Sequence, residues 1–356
     1  MVPTHAGKAW RLAIDRATSP MASRKQSIAI RGAGIAGLWQ ALTLARAGYP
    51  VTLHERSSTL FAEACSPFAG AMLGPRCEEE SAEAVIRELG LRSIALWRKT
   101  YPGTVANGSL VVALPRDRAL LDRFARMTGG FERLGANEVA TLEPDLGPRF
   151  STALYYPDEA HLAPDAALAY LLDQALDAGV TLRLGEAGIP KDADIVVDCR
   201  GLSAREDLPT LRGVRGERIV IRSREVALAR PVRLLHPRFP LYVVPWGDGR
   251  YMIGATVIES EEAGPITMRS ALELLNAAYA LDPAFGEAEI LGLGAAARPA
   301  FPDNRPRIIV RARYIYVNGL YRHGFLLAPV MAELVASFIA TGVQDPEVFV
   351  ADPSQR

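Results

Sequence analysis

The sequence predicts an α/β fold, α+β overall, in which a Rossmann-type parallel-sheet domain is interleaved with a second domain built on an antiparallel sheet. Three observations carry this expectation. A strand, glycine turn, helix and strand follow one another over residues 27–54; strand and helix signals return after residue 164 and after residue 314; and a β-rich stretch over residues 214–259 lies between them. A length of 356 residues suits about two domains. The order of signals makes the chain cross between them more than once.

Residues 27–30 are apolar and open the first strand, the glycine-rich residues 32–37 break it, and residues 38–47 read as a helix closed by Gly48. Residues 49–54 return to strand, which makes a βαβ unit with a parallel, right-handed crossover. Residues 78–101 and 116–129 mix charged and apolar side chains at helical spacing, the second around Leu120, Leu121 and Phe124, and predict surface helices. Residues 109–114 and 153–156 read as strands. A helix over 164–178 precedes short strands at 180–184 and 195–199, after which Gly201 breaks the chain as it would at a ligand-facing turn.

Within 214–259 the expected strands are 218–221, 233–235, 241–244 and 251–253, with Asp248-Gly249 as a hairpin turn. A helix over 268–279 and a strand over 314–317 follow, and Gly319 leads into a last helix. The apolar stretch 325–343 approaches membrane-spanning length. Pro329 and Glu333 lie within it, and Met331, Leu334, Val335 and Phe338 recur at helical spacing, so it reads as a buried helix packed on a sheet. The resulting division assigns residues 26–80, 165–210 and 298–356 to the nucleotide-type domain and 81–164 and 211–297 to the other. Residues 1–25 form a polar extension without the apolar core of a secretory signal.

Forty Lys and Arg balance forty Asp and Glu, so no global field recruits nucleic acid or an anionic membrane. Cys65, Cys77 and Cys199 are few, odd in number and without C-x-x-C spacing, which points to a reducing cytoplasm and to neither a disulfide framework nor zinc. His54, His161 and His236 lack metal-ligand spacing, and no metal is expected.

In Gly32-Ala33-Gly34-Ile35-Ala36-Gly37 each glycine has its own steric task. Gly32 permits the tight turn, Gly34 lets the backbone approach a pyrophosphate, and Gly37 allows close helix–strand packing. N–H groups at the helix start attract phosphate. Glu55 stands eighteen residues after Gly37, where its carboxylate can accept from ribose hydroxyls and disfavours a 2′-phosphate. The spacing indicates a dinucleotide and does not distinguish FAD from NAD.

The run Cys65-Ser66-Pro67-Phe68-Ala69-Gly70-Ala71-Met72-Leu73 resembles the flavin-facing loop of D-amino-acid-oxidase-like flavoproteins. Further resemblances are Leu241-Tyr242-Val243-Val244-Pro245 with Ile253-Gly254-Ala255-Thr256, the segment 297–306 beginning Ala297-Arg298-Pro299, and the segment 318–329 containing Tyr321-Arg322-His323-Gly324-Phe325-Leu326-Leu327. Together, over about residues 26–345, they look like glycine oxidases of the thiamine-biosynthesis type. The resemblance implies oxidation of glycine, and of sarcosine or small D-amino acids, with FAD as cofactor and O2 as electron acceptor, in the supply of thiamine's thiazole. It also implies a homo-oligomer, often a tetramer. Two departures stand out: Ala71 replaces a glycine common among relatives, and residues 314–327 hold no cysteine, so FAD is expected to be noncovalent.

Carried onto this sequence, the resemblance makes Arg298 the carboxylate anchor, Tyr242 a pocket tyrosine and Arg322 a second basic group by the flavin. For Arg322 an ion pair supporting the 319–324 turn is the competing reading. A planar guanidinium can clamp a carboxylate through two parallel hydrogen bonds and so present the α-carbon without a strong base. Besides Gly32, Gly34, Gly37 and Glu55, the implied cofactor contacts are Ile35, Ala36, Arg56, Ser66, Ala69, Gly70, Met72, Gly201, His323, Gly324, Phe325, Leu326 and Leu327. His323 is read as structural support, and the N–H groups of 324–327 as a helix start that stabilises charge on reduced flavin. Two alternatives remain: a D-amino-acid deaminating dehydrogenase using another acceptor, and a non-catalytic flavin-binding protein.

Overall fold

The computed structural model describes residues 25–188, 192–238 and 240–351; apart from Lys25, the expected N-terminal extension lies outside the described residues. Strand β1 (Ile28–Arg31), helix α1 (Ile35–Arg46) and strand β2 (Val51–Glu55) form the βαβ unit, with Ile28 opposite Val51 and Arg31 opposite His54 in parallel register. The next elements are β3 (Met72–Leu73), α2 (Ala84–Thr100), β4 (Ser109–Ala113), α3 (Arg118–Met127), β5 (Glu132–Gly135), α4 (Ala136–Leu142), β6 (Thr152–Tyr156) and β7 (Ala160–His161). Helix α5 (Pro164–Asp177), opened by a proline whose missing N–H costs nothing there, leads to β8 (Thr181–Leu184) and β9 (Ile195–Asp198). Then come β10 (Arg212–Arg222), β11 (Val232–Leu235), β12 (Leu241–Gly247), β13 (Arg250–Gly254), α6 (Met268–Leu281) and β14 (Glu289–Ala300). The chain continues through β15 (Arg307–Arg311), β16 (Tyr314–Asn318) and α7 (Gly324–Thr341), which ends at left-handed Gly342.

Two large sheets organise these elements. One runs β15-β16-β9-β1-β2-β8, parallel except for the β15–β16 hairpin, and the other runs β14-β10-β13-β12-β11-β4-β6-β5, antiparallel except where β11 meets β4. Each sheet has its own core. Leu38, Leu42, Leu53, Val197, Leu327 and Val330 bury the first; Leu110, Ile219, Val232, Leu234, Ile253 and Leu281 bury the second. Three sequence segments feed the six-stranded sheet and the two between them feed the eight-stranded one, which extends along β14 to Ala300, past the expected boundary at residue 297.

Helix α1 packs against α5 and α7, and α7 also packs against α2. By composition α7 could cross a membrane, yet Leu326 to Ala332 are all buried within the fold. Pro329 lacks the N–H that would bond the carbonyl of Phe325 inside the helix. The indole Nε1–H of Trp97 on α2 donates to that carbonyl at 2.7 Å, and the Val330 N–H donates to Ser93 Oγ at 3.2 Å.

Several elements depart from expectation. The helix expected from residue 78 begins at Ala84, because Cys77–Glu80 winds as a 3-10 turn whose three glutamates are drawn to two arginines: Glu78 and Glu80 to Arg233, and Glu79 to Arg87. The helix over 116–129 divides into a 3-10 turn, Pro115–Asp117, and α3. Strand β14 carries Gly292, Gly294 and three consecutive alanines without apolar alternation, but it pairs with β10 along its whole length, from Glu289 opposite Arg222 to Ala300 opposite Arg212. The edge strand β5 is polar and short, and gave no signal.

Candidate active site

The glycine turn after β1 is built as the spacing requires. Gly32 has φ +94°, and a Cβ there would lie 2.9 Å from the Cys199 carbonyl oxygen. A Cβ on Gly37 would fall within 3.0 Å of the Gly32 carbonyl oxygen, so α1 can rest this close to the turn only without a side chain. Gly34 is the N-cap of α1, whose first turn holds no acid, and a Cβ there would project towards Ser66 Oγ at 3.2 Å. Ile35 N–H donates to that hydroxyl at 3.0 Å; Ala36 follows in the same turn of the helix.

Glu55 ends β2 and points back onto the turn, accepting from Ala33 N–H at 2.9 Å and Ser57 N–H at 3.2 Å. It thus buttresses the glycine loop, and each carboxylate oxygen retains a second lone pair for a further donor. Arg56 lies further out, half exposed and ion-paired with Glu63. Gly201 follows β9 with φ +57°, accepts from Asn318 Nδ2 at 2.9 Å and lies against Pro299.

A cavity opens where the two sheets meet. Its lining includes Ile35, Ser66, Ala69, Gly70 and Met72, then Gly324, Phe325 and Leu326, and also Tyr242, Arg298 and Arg322. Gly32, Gly34, Ala36, Gly37, Glu55, Arg56, Gly201, His323 and Leu327 do not line it; Leu327 is fully buried in the core. Gly70 lets the loop backbone lie against the eight-stranded sheet: a Cβ there would meet Tyr242 Cε2 at 2.9 Å and collide with the Met252 methyl. Trp246 Nε1–H donates to the Gly70 carbonyl at 3.2 Å, and Ala71 adopts φ +52°, left-handed despite its methyl group.

Arg298 extends from β14, opposite Val214 of β10. Its Nη1 donates to the Thr256 carbonyl at 3.3 Å, and no carboxylate pairs with it among the described residues. Burial presses its pKa down, with Arg322 adding to the effect. Tyr242 stands on β12 between Arg233 of β11 and Gly254 of β13.

Arg322 lines the cavity but is not a free cation. Its Nη2 is held 3.2 Å from Glu78 Oε1, the ion pair weighed above as the competing reading, and this carboxylate raises its pKa. Glu78 also receives Arg233 Nη2 at 3.1 Å and faces His323 Nε2 at 3.0 Å. Burial pushes the Glu78 carboxyl up, yet Arg322, His323 and Arg233 together hold it well below the usual carboxylate range. The 3-10 turn Tyr321–His323 runs directly into α7, and His323 N–H already donates to Leu320 at 2.8 Å, so the helix start expected at Gly324 is preceded by a wound turn.

Glu78 and Arg233 are site residues that the sequence reading missed. The signal was a charged residue inside an otherwise apolar, fully buried strand, Val232-Arg233-Leu234-Leu235, which demands a buried acid elsewhere. Behind Glu78, Glu159 accepts from Cys77 N–H at 2.7 Å and from the Ser109 hydroxyl, and burial pushes its carboxyl up to about 7. Burial, with the charge of Arg230, holds His161 down to about 4.

The residues fit FAD. An acid-free helix start stands where a pyrophosphate would lie and an acid ends β2. The buried Nδ1 of His323, beside the cavity-lining Gly324, has no partner among the described residues.

Comparison with known proteins bears on the family and the fold. A Rhizobium etli protein assigned as the thiamine biosynthesis oxidoreductase ThiO is 53% identical over 322 residues, covering 90% of this chain and 98% of that protein. A glycine oxidase of Bacillus licheniformis is 26% identical over 355 residues, covering 90% and 94%. The crystal structure of glycine oxidase from Geobacillus kaustophilus shares the fold, with TM-score 0.77, 24% identity and coverage of 92% and 97%. The FAD dependent oxidoreductase family, DAO, matches residues 27–338, and the chain belongs to that family.

Proposed function

We propose that this protein oxidises glycine, and with it sarcosine or small D-amino acids, to the imine, in the reaction sequence that supplies thiamine. The observation that carries the reading is Arg298: a half-buried guanidinium lining a cavity beside the flavin loop, with no carboxylate partner among the described residues. Such a group recognises the carboxylate of an incoming amino acid. The names of the Rhizobium etli and Bacillus licheniformis relatives support the same substrate and pathway.

When bound, FAD supplies the two-electron acceptor for the substrate's α-C–H hydride and the route by which O2 becomes H2O2. The chain's own residues bind and orient. Arg298 fixes the substrate carboxylate, and Tyr242, packed against Gly70 of the flavin loop, limits side-chain volume. Glu78 keeps Arg322 from competing for the carboxylate, since one acceptor already holds it. Water then hydrolyses the imine, so that glycine, O2 and water become glyoxylate, ammonia and H2O2. The six-stranded sheet and its helices would carry FAD and the eight-stranded sheet the substrate, in a cytoplasmic homo-oligomer.

The test is anaerobic reduction of the flavin-loaded protein by glycine, compared with Arg298→Ala. The variant should retain flavin and lose about 2–5 kcal/mol of substrate interaction. Flavin that glycine does not bleach in the parent protein would overturn the assignment. Bleaching without peroxide on re-aeration would favour the dehydrogenase reading.

A further inference from the structure

We propose that Gly216 is the seat on which the Arg298 guanidinium rests, and hence a positioning residue for carboxylate recognition; the inference rests on the anchor role of Arg298. Gly216 lies on β10 opposite Ala296 of β14, and both line the cavity. Ala296 and Arg298 share a face of β14, because side chains alternate along a strand. Small residues at 216 and 296 leave a shallow trough, and the arginine folds back along it.

A Cβ on Gly216 would fall within 3.0 Å of Cζ, Nη1 and Nη2 of Arg298 together. All three atoms form the planar head of the guanidinium, so the head lies flat on the glycine backbone. Gly216 is not in a left-handed conformation, so its backbone does not demand glycine. The other glycine near it, Gly213, answers to a different neighbour, the Glu261 side chain, at 2.9 Å. Absence of a side chain at 216 is therefore explained by Arg298 alone.

The obstructing atoms are the far end of a flexible side chain and not backbone. An added methyl is accordingly accommodated by the fold and expelled into the guanidinium, which shifts toward the cavity and loses its approach to the Thr256 carbonyl. A displacement of about 1 Å in a positioning group lowers activity by up to about a hundredfold.

The experiment compares flavin-loaded Gly216→Ala, Arg298→Ala and the double variant. It reads the change in flavin absorbance on titration with acetate, which carries a carboxylate and no amine, together with kcat and KM for glycine. Gly216→Ala is expected to load flavin normally, to weaken acetate binding and raise KM at least tenfold, and to add less than threefold to the effect of Arg298→Ala. Acetate binding within threefold of the parent in Gly216→Ala, with Arg298→Ala impaired, overturns the proposal alone. Unchanged acetate binding in both single variants overturns the anchor reading with it. An effect of Gly216→Ala that persists undiminished without Arg298 also overturns the proposal. If Gly216→Ala fails to load flavin, the double variant decides: restored loading upholds the collision, and continued loss overturns it.

Discussion

Replacing Glu78 with glutamine removes the one carboxylate that Arg233, Arg322 and His323 share. At about 3 Å and an effective dielectric near 20, each arginine contact is worth about 5 kcal/mol of Coulomb attraction, against several kcal/mol of desolvation per buried ion. The glutamate side chain is 14% exposed and that of Arg233 8%, so solvent screens little of this. Breaking such a pair from one side leaves Arg322 without a counter-charge and Arg233 with Glu80 alone, and costs about 3–5 kcal/mol. A chain of this length unfolds with an entropy of about 0.7 kcal/mol per degree, so Tm should fall by about 5 °C. The assay is thermal and denaturant unfolding of parent and Glu78→Gln at pH 7.5 and at acid pH. The folded-state pKa of Glu78 is depressed, so its contribution is complete above the unfolded carboxylate range and disappears as pH falls through the folded value. The two proteins should therefore converge in acid. A loss below 1 kcal/mol at pH 7.5, or a gap that does not close in acid, would refute the idea of a buried hub and leave an ordinary solvated ion pair.

Other outcomes follow from the same geometry. Gly37→Ala sets a methyl against an immovable backbone carbonyl; stability should fall by about 3 kcal/mol and flavin retention with it, measured by denaturant unfolding and flavin content. Trp97→Phe leaves the Phe325 carbonyl buried and unpaired, at a cost of about 1–3 kcal/mol read from the shift in unfolding midpoint. Glu159, pushed up to about 7 by burial, holds its proton more tightly when folded, so its stabilisation is greatest below the unfolded carboxylate range and is lost as pH rises through 7. Glu159→Gln should gain about 2 kcal/mol relative to the parent between pH 5.5 and 8. The difference between the proteins is the proper reading, because His161, held down to about 4, titrates in the opposite sense and is common to both.

Local chemistry explains which features were legible before the structure. The glycine turn could be read because its requirements are steric and contained within six residues, with Glu55 at a set distance along the chain. Strand β14 could not, because its pairing with β10 supplies what its own side chains do not: a run of alanines and glycines has no period to detect. At the site, Arg298 and Tyr242 lie in motifs that could be matched, and the cavity brings both together with Gly70 and Ser66. Arg322 was recognised as a cation, but its partner lies 244 residues away in sequence, and only the fold shows that the charge is already taken. Glu78 was hidden for the related reason that three successive glutamates read as a solvated helical face until each is seen to meet an arginine brought in by the fold.

The packing of α1 on α7 also bears on synthesis. The helix completed among the first residues of the described chain is covered by one that begins roughly 290 residues later. At about 5–20 residues per second, the apolar face of α1 waits about 15–60 s on the ribosome for its cover. The period of greatest aggregation hazard thus belongs to the nascent chain, and a slower passage through the intervening segments would lengthen it without altering a single contact of the finished fold.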